Sequence, residues 1–252
     1  MKIAASDFDG TLFRERTISR EDREAIRRWR AAGHVFGIVT GRGREMLLRD
    51  AAPFAIPCDF LVCNNGADIY GADARSLHRA PLPEGVADIV LEHPCAAACR
   101  LCVFFAGPSF YGHAEKTNAW IVKNVSLPLL PPQELARLPG VHQISLAYAA
   151  PEQAEAAIPA LSRSLRDTAA LHHSGVCIDV TAPDASKAAG MEYLLMARRW
   201  ETAEVLVIGD AGNDIPMIRR FGGYAVHNAG QEIRAAAKGV YPSVGHMLLA
   251  HL

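Results

Sequence analysis

The chain has 252 residues with 26 basic against 27 acidic side chains, a formal net charge of −1, and is 50% hydrophobic. That balance fills a sizeable core and suits one large domain, or a core with a second domain inserted into it. It supplies no basic field to hold nucleic acid, and no apolar run reaches the roughly 18–20 residues of a transmembrane helix. The N-terminal residues lack the charged, apolar and small-residue zones of a secretory leader, so the expected location is the cytoplasm. There the formal sequon Asn124-Val125-Ser126 is without meaning and the six cysteines stay reduced.

Residues 2–7 read as a short apolar strand running into Asp7-Phe8-Asp9-Gly10-Thr11. Ser19-x-x-Asp22 opens a helix to about Ala32, with Ala25, Ile26 and Trp29 on one face and Gly33 as the stop. The arginines at 20, 23, 27, 28 and 30 share that stretch with Glu21, Asp22 and Glu24, as a solvated face does. Val35–Val39 is the next strand, closed by Thr40-Gly41-Arg42-Gly43, and a helix through Met46, Leu47 and Leu48 follows it. Strand Phe60–Cys63 ends in Asn64-Asn65-Gly66. Near the other end, Val205–Ile208 runs into Gly209-Asp210-Ala211-Gly212-Asn213-Asp214, and Tyr224–Val226 is a fifth strand. Apolar runs alternating with amphipathic helices predict βαβ units and a parallel sheet, whose ligands bind at the carboxyl ends of the strands. Every polar cluster named here lies at such an end.

The middle of the chain differs. Alternating segments such as His142–Tyr148, followed by a helix near Glu152–Leu165, predict antiparallel strands and an inserted α+β domain. The expected division is a Rossmann-like α/β core at 1–77 and 184–252, with the insertion at 78–183. Cys95, Cys99 and Cys102 have the spacing of the iron–sulfur triad of radical enzymes. On a helix starting near Pro94 the same spacing forms one buried stripe, and the mid-chain setting favours that packing role. His113, Lys116 and Trp120 form a polar-aromatic segment that either faces a ligand or lies on a loop surface.

Phosphoryl transfer through a covalent intermediate needs a nucleophile, an acid/base, a metal and cations for the nonbridging oxygens. Asp7 and Asp9 can supply the first two, and Asp210 and Asp214 add carboxylates suited to a hard cation such as Mg²⁺. Thr40 and Gly41 offer a hydroxyl and a backbone N–H, and Lys187 offers a point charge at a helix start. Singly, an Asp-Gly-Thr is usually a turn, a Thr-Gly-Arg a strand–helix connection and a lysine a solvated side chain. Their order along the chain, all at strand exits or helix starts, is what points to a site.

In that order the motifs resemble the haloacid dehalogenase superfamily, and within it the Cof-type sugar-phosphatase-like branch. The resemblance rests on Asp7-Phe8-Asp9-Gly10-Thr11-Leu12, Ile38-Val39-Thr40-Gly41-Arg42, Asn64-Asn65-Gly66-Ala67, Ser186-Lys187 and Gly209–Asp214. It implies that Asp7 attacks phosphorus and carries an aspartyl phosphate, while Asp9 acts as acid and then as base. It implies Mg²⁺ held by Asp7, the backbone carbonyl of Asp9, and Asp210, with Asp214 assisting directly or from behind. Thr40, Gly41, Lys187 and Asn213 would hold the phosphoryl group. The substrate implied is a small phosphorylated metabolite, a sugar phosphate foremost, with the insertion as a lid that chooses the leaving group. A phosphomutase or phosphotransferase would use the same intermediate, and a binding module that lost turnover is disfavoured by the complete acidic set. His227-Asn228-Ala229 and Lys238-Gly239-Val240 depart from the family's usual Gly-Asn-Ala and Asp-Gly-Val. Oligomeric state is not written in these motifs.

Overall fold

The computed structural model describes residues 1–113 and 127–252. Lys116, Trp120 and the sequon at 124–126 lie outside the described residues. The chain divides into two compact units, residues 1–78 with 186–252, and residues 79–185. These boundaries fall one and two residues beyond those expected from sequence.

In chain order the strands are β1 (Lys2–Ser6), β2 (Val35–Val39), β3 (Phe60–Cys63), β4 (Asp68–Gly71) and β5 (Ser76–Arg79). The insertion contributes β6 (Leu101–Ala106), β7 (Ser109–His113), β8 (Leu129–Leu130), β9 (Val141–Ala147), β10 (Ala170–Ser174) and β11 (Cys177–Thr181). Then come β12 (Glu204–Gly209), β13 (Tyr224–Val226) and β14 (Gly239–Tyr241).

The first unit is built on one sheet of order β14-β13-β12-β1-β2-β3-β4-β5. Pairing is parallel from β14 through β3 and antiparallel between β3 and β4. Both faces are buried: Ala4 joins the apolar layer containing Trp29 and Phe36, while Ile3 and Ala5 join the layer containing Met191 and Leu194. A strand covered on both sides must be apolar at every position, which is why these strands read as continuous runs. Helix Arg20–Ala31 begins as expected, with the Asp22 N–H donating to Ser19 Oγ at 2.9 Å. The Asp22 carboxylate, however, is fully buried and accepts from Ser243 Oγ and the Gly245 N–H, both at 2.6 Å. It therefore holds the start of the last helix, Val244–Ala250, against the first.

In the inserted unit a six-stranded sheet of order β10-β11-β9-β6-β7-β8 is antiparallel at its centre. Ile144, Leu146, Ile178 and Val180 pack with Leu161 and Leu165 of helix Pro151–Leu165. The continuous helix expected through Cys95, Cys99 and Cys102 does not form. Helix Pro94–Ala98 stops after five residues, and the Arg100 N–H bonds to the Ala147 carbonyl at 2.7 Å, starting the pairing of β6 with β9. Sheet pairing thus overrides the helical spacing, while Cys99 and Cys102 are still buried in the apolar core. None of the six cysteines is in a disulfide, and the triad is not among the candidate metal-holding groups of the described residues.

Candidate active site

The strand order β12-β1-β2-β3 decides the site. These four parallel strands end at Gly209, Ser6, Val39 and Cys63, so the residues that follow each one emerge along one edge. Asp7 stays tied to β12 through its N–H, which donates to the Ile208 carbonyl at 2.9 Å. The chain then turns at Gly10, with φ +80°, where a side-chain carbon would lie 2.3 Å from Asp210 Oδ2. Only glycine permits both that backbone and that approach. Two further bonds close the loops on each other: Thr11 Oγ1 donates to Asp210 Oδ1 at 2.5 Å, and Asn228 Nδ2 donates to the Gly10 carbonyl at 2.9 Å.

Lys187 opens helix Lys187–Arg198, capped by Ser186, and its side chain is 1% exposed. Its Nζ donates to Asp7 Oδ1 at 2.7 Å and to Asp214 Oδ1 at 2.6 Å. The other Asp214 oxygen accepts the N–H groups of Asp210 and Ala211, both at 3.0 Å. Asp7, Asp210 and Asp214 each offer one oxygen within 4.8 Å of the others. Three ionised carboxylates against one ammonium leave the cluster short of positive charge. Burial, followed by the Asp214 charge, pushes the Asp7 carboxyl well above its ordinary range despite Lys187. Burial also raises Asp210, against the Thr11 hydrogen bond. Burial alone would lower the Lys187 ammonium, but Asp214 and Asp7 outweigh it and hold the proton on the lysine.

The Asp9 carboxylate stands apart from this group. It is half-exposed and held by both arms of the Arg42 guanidinium, with Nε 2.6 Å from Oδ2 and Nη2 2.7 Å from Oδ1. Arg42 also donates to Asp50 at 2.5 Å and lies over the Phe8 ring. Thr40 is buried at the exit of β2, its Oγ1 accepting the Arg42 N–H at 3.1 Å, and Gly41 is half-buried beside it. Asn213 Nδ2 donates to Asn65 Oδ1 at 3.0 Å. The structure thus gathers Asp7, Lys187, Asp210 and Asp214 directly and turns Asp9 toward Arg42. Thr11, Arg42, Asn65 and Asn228 carry no assigned role in the sequence reading, although Thr11, Arg42 and Asn65 sit inside its motifs. Their contacts join loops 33 to 218 residues apart, which local spacing does not encode.

Comparison with known proteins agrees. The chain matches the family described as haloacid dehalogenase-like hydrolase over residues 4–246. It belongs to that family. The pyridoxal phosphate phosphatase YbhA of Escherichia coli is 26% identical over 281 residues, covering 100% of this chain and 98% of YbhA. An HMP-PP phosphatase of Yersinia enterocolitica is 26% identical over 239 residues, covering 90% of this chain and 84% of its own. In structure, a HAD/COF-like hydrolase from Plasmodium vivax superposes with a TM-score of 0.85 at 22% identity, over 99% of this chain and 94% of the other. This haloacid dehalogenase-like hydrolase is accordingly an enzyme of the phosphatase class, of Cof type, with the α/β core and α+β insertion of that fold. Among its described residues no helix is long and apolar enough to cross a membrane.

Proposed function

We propose that the enzyme is a Mg²⁺-dependent phosphatase of a small phosphorylated metabolite, working through an aspartyl phosphate on Asp7. The observation that carries this reading is the buried Lys187 ammonium bridging Asp7 and Asp214 beside Asp210. Lysine orients one Asp7 oxygen and leaves the other for attack. The donor set is all carboxylate oxygen within 4.8 Å, which fits a hard divalent cation rather than a soft one. Asp7 and Asp210 would hold Mg²⁺, aided by the Asp9 carbonyl. Both Asp214 oxygens are already engaged, which favours a supporting role for it. When bound, Mg²⁺ supplies charge neutralisation at the phosphoryl oxygens.

An Asp7 oxygen bonds to phosphorus as the ester oxygen–phosphorus bond breaks, and Asp9 delivers a proton to the leaving oxygen. Asp9 then accepts a proton from water, whose oxygen displaces Asp7 and frees inorganic phosphate. Thr40, Gly41, Lys187 and Asn213 hold the nonbridging oxygens. For Asp9 to act, its carboxylate must leave the Arg42 fork, take a proton from solvent and turn to the leaving oxygen, and its half-exposed position favours that exchange. Sugar phosphates are the leading substrate class. The relatives are named for pyridoxal phosphate and HMP-PP, so those two compounds belong in the same panel. A cytoplasmic setting suits six cysteines that form no disulfide.

The test is hydrolysis of p-nitrophenyl phosphate in MgCl₂, with a ³¹P time course on sugar phosphates. Release of inorganic phosphate supports the reading, whereas an isomeric ester would make the enzyme a mutase. Activity that survives Asp7→Asn would overturn the covalent mechanism.

A further inference from the structure

The turn Asn64-Asn65-Gly66, at the exit of β3, has no part in the proposed chemistry, yet its backbone is unusual. Three consecutive residues have positive φ: 51° at Asn64, 52° at Asn65 and 95° at Gly66. Such conformations cost free energy in residues with a Cβ, least so in asparagine, and cluster where function fixes them. Both asparagines are buried, at 1% and 0% exposure.

This turn meets all three phosphate-binding elements. Its backbone is bonded to the Thr40 loop, with the Asn65 N–H donating to the Thr40 carbonyl and the Asn64 N–H to the Arg42 carbonyl, both at 3.0 Å. Gly66 fits against the start of the Lys187 helix so closely that a side-chain carbon would lie 2.1 Å from the Ser186 carbonyl oxygen. The Asn65 side chain reaches the third element, where its Oδ1 accepts from Asn213 Nδ2 at 3.0 Å. The Asn213 Oδ1 is buried and has no partner among the described residues, so this is the bond that sets which way the Asn213 amide faces. A reversed amide would place two carbonyl oxygens against each other.

We propose that Asn65 is a positioning residue for phosphate: its Oδ1 fixes the Asn213 amide so that the second N–H of that amide is free for a phosphoryl oxygen. The inference rests on the reading that phosphate binds at Thr40, Lys187 and Asn213. Asn65 touches no substrate; it acts through Asn213. Losing the orientation of one donor to a charged oxygen weakens binding by roughly tenfold.

The experiment is calorimetric titration of inorganic phosphate into the protein in MgCl₂, for wild type, Asn65→Gly, Asn213→Ala and the double variant. Glycine accepts the left-handed backbone without strain, so Asn65→Gly removes the acceptor and spares the turn. Each single variant should bind phosphate about tenfold more weakly, and the double variant no more weakly than Asn213→Ala alone. In Asn65→Asp, which keeps an acceptor and tolerates the same backbone, Asn213→Ala should still cost about tenfold. That second pair decides the matter if Asn65→Gly does not fold. Additive penalties of about a hundredfold in the double variant overturn the positioning role and leave the phosphatase reading intact. Wild-type binding in Asn65→Gly, or loss of the Asn213 effect in Asn65→Asp, overturns it as well. No phosphate binding by the wild type overturns both readings.

Discussion

Replacing Asp7, the proposed nucleophile, by its amide in Asp7→Asn should destroy activity and stabilise the metal-free protein. Asp7 lies within 4.8 Å of oxygens on Asp210 and Asp214 and 2.7 Å from the Lys187 ammonium. At an effective dielectric of about 20, each carboxylate pair at that separation repels by about 3.5 kcal/mol, and the lysine pair attracts by about 6 kcal/mol. The two repulsions slightly exceed the attraction, and burial of the charge adds to the cost. The amide keeps an oxygen for Lys187 and removes both penalties. The expected gain is about 1–2 kcal/mol, or roughly 2–8 °C in Tm for a chain of this size. The assay is scanning calorimetry in EDTA at pH 7.5 and at lower pH. Because the folded Asp7 carboxyl titrates well above its ordinary value of 3.8, wild type is fully penalised once pH rises through that raised value. The penalty vanishes only below that ordinary value, where the unfolded carboxyl is protonated too, so the gap between variant and wild type should narrow steadily as pH falls toward 3.8. An Asp7→Asn protein less stable than wild type at pH 7.5 in EDTA would refute the electrostatic reasoning.

Saturating MgCl₂ should raise the Tm of wild type, by about 2.7 kcal/mol of added stability at a hundred times Kd, and should raise that of Asp7→Asn much less. Equal shifts in the two proteins would exclude Asp7 as a ligand. Asp9→Asn should lower kcat by about 10²–10⁴ on alkyl phosphates and by far less on p-nitrophenyl phosphate, whose leaving group needs no proton. A uniform loss on both ester types would count against the acid role. Asp22→Ala should cost about 2–4 kcal/mol in urea unfolding, because it strands the buried Gly245 N–H and removes the Ser243 hydroxyl's bond to the carboxylate at the start of the last helix. A cost below about 1 kcal/mol would show that water replaces the carboxylate there.

Asp9 and Arg42 show how far motif reading reaches. Both sit in recognisable segments, and the role expected of Asp9 follows from its place two residues after Asp7. Its carboxylate nevertheless turns away from Asp7, Asp210 and Asp214, because a planar guanidinium from another strand exit offers two parallel hydrogen bonds. The cysteine triad shows the converse. Its spacing suits a helix, and Cys99 and Cys102 are buried as a packed stripe predicts, but pairing of β6 with β9 ends the helix at Ala98. β4, β5 and β14 also escaped notice, since strands of three or four residues at or beside a sheet edge leave too short a pattern to read.

By itself the sequence determined the parallel core and the insertion, and it named Asp7, Asp9, Thr40, Gly41, Lys187, Asp210, Asn213 and Asp214 as candidate site residues. Those features are local: an apolar run is a strand buried on both faces, and a polar cluster at its end is a strand exit. Which exits become neighbours is a matter of strand order, and β12 beside β1 brings residues some 200 positions apart to one edge. Only the tertiary structure decided that Lys187 is locked between Asp7 and Asp214, that Asp9 faces Arg42, and that Asn65 meets Asn213. Each is a side-chain contact across separate loops, set by packing geometry that no spacing along the chain records.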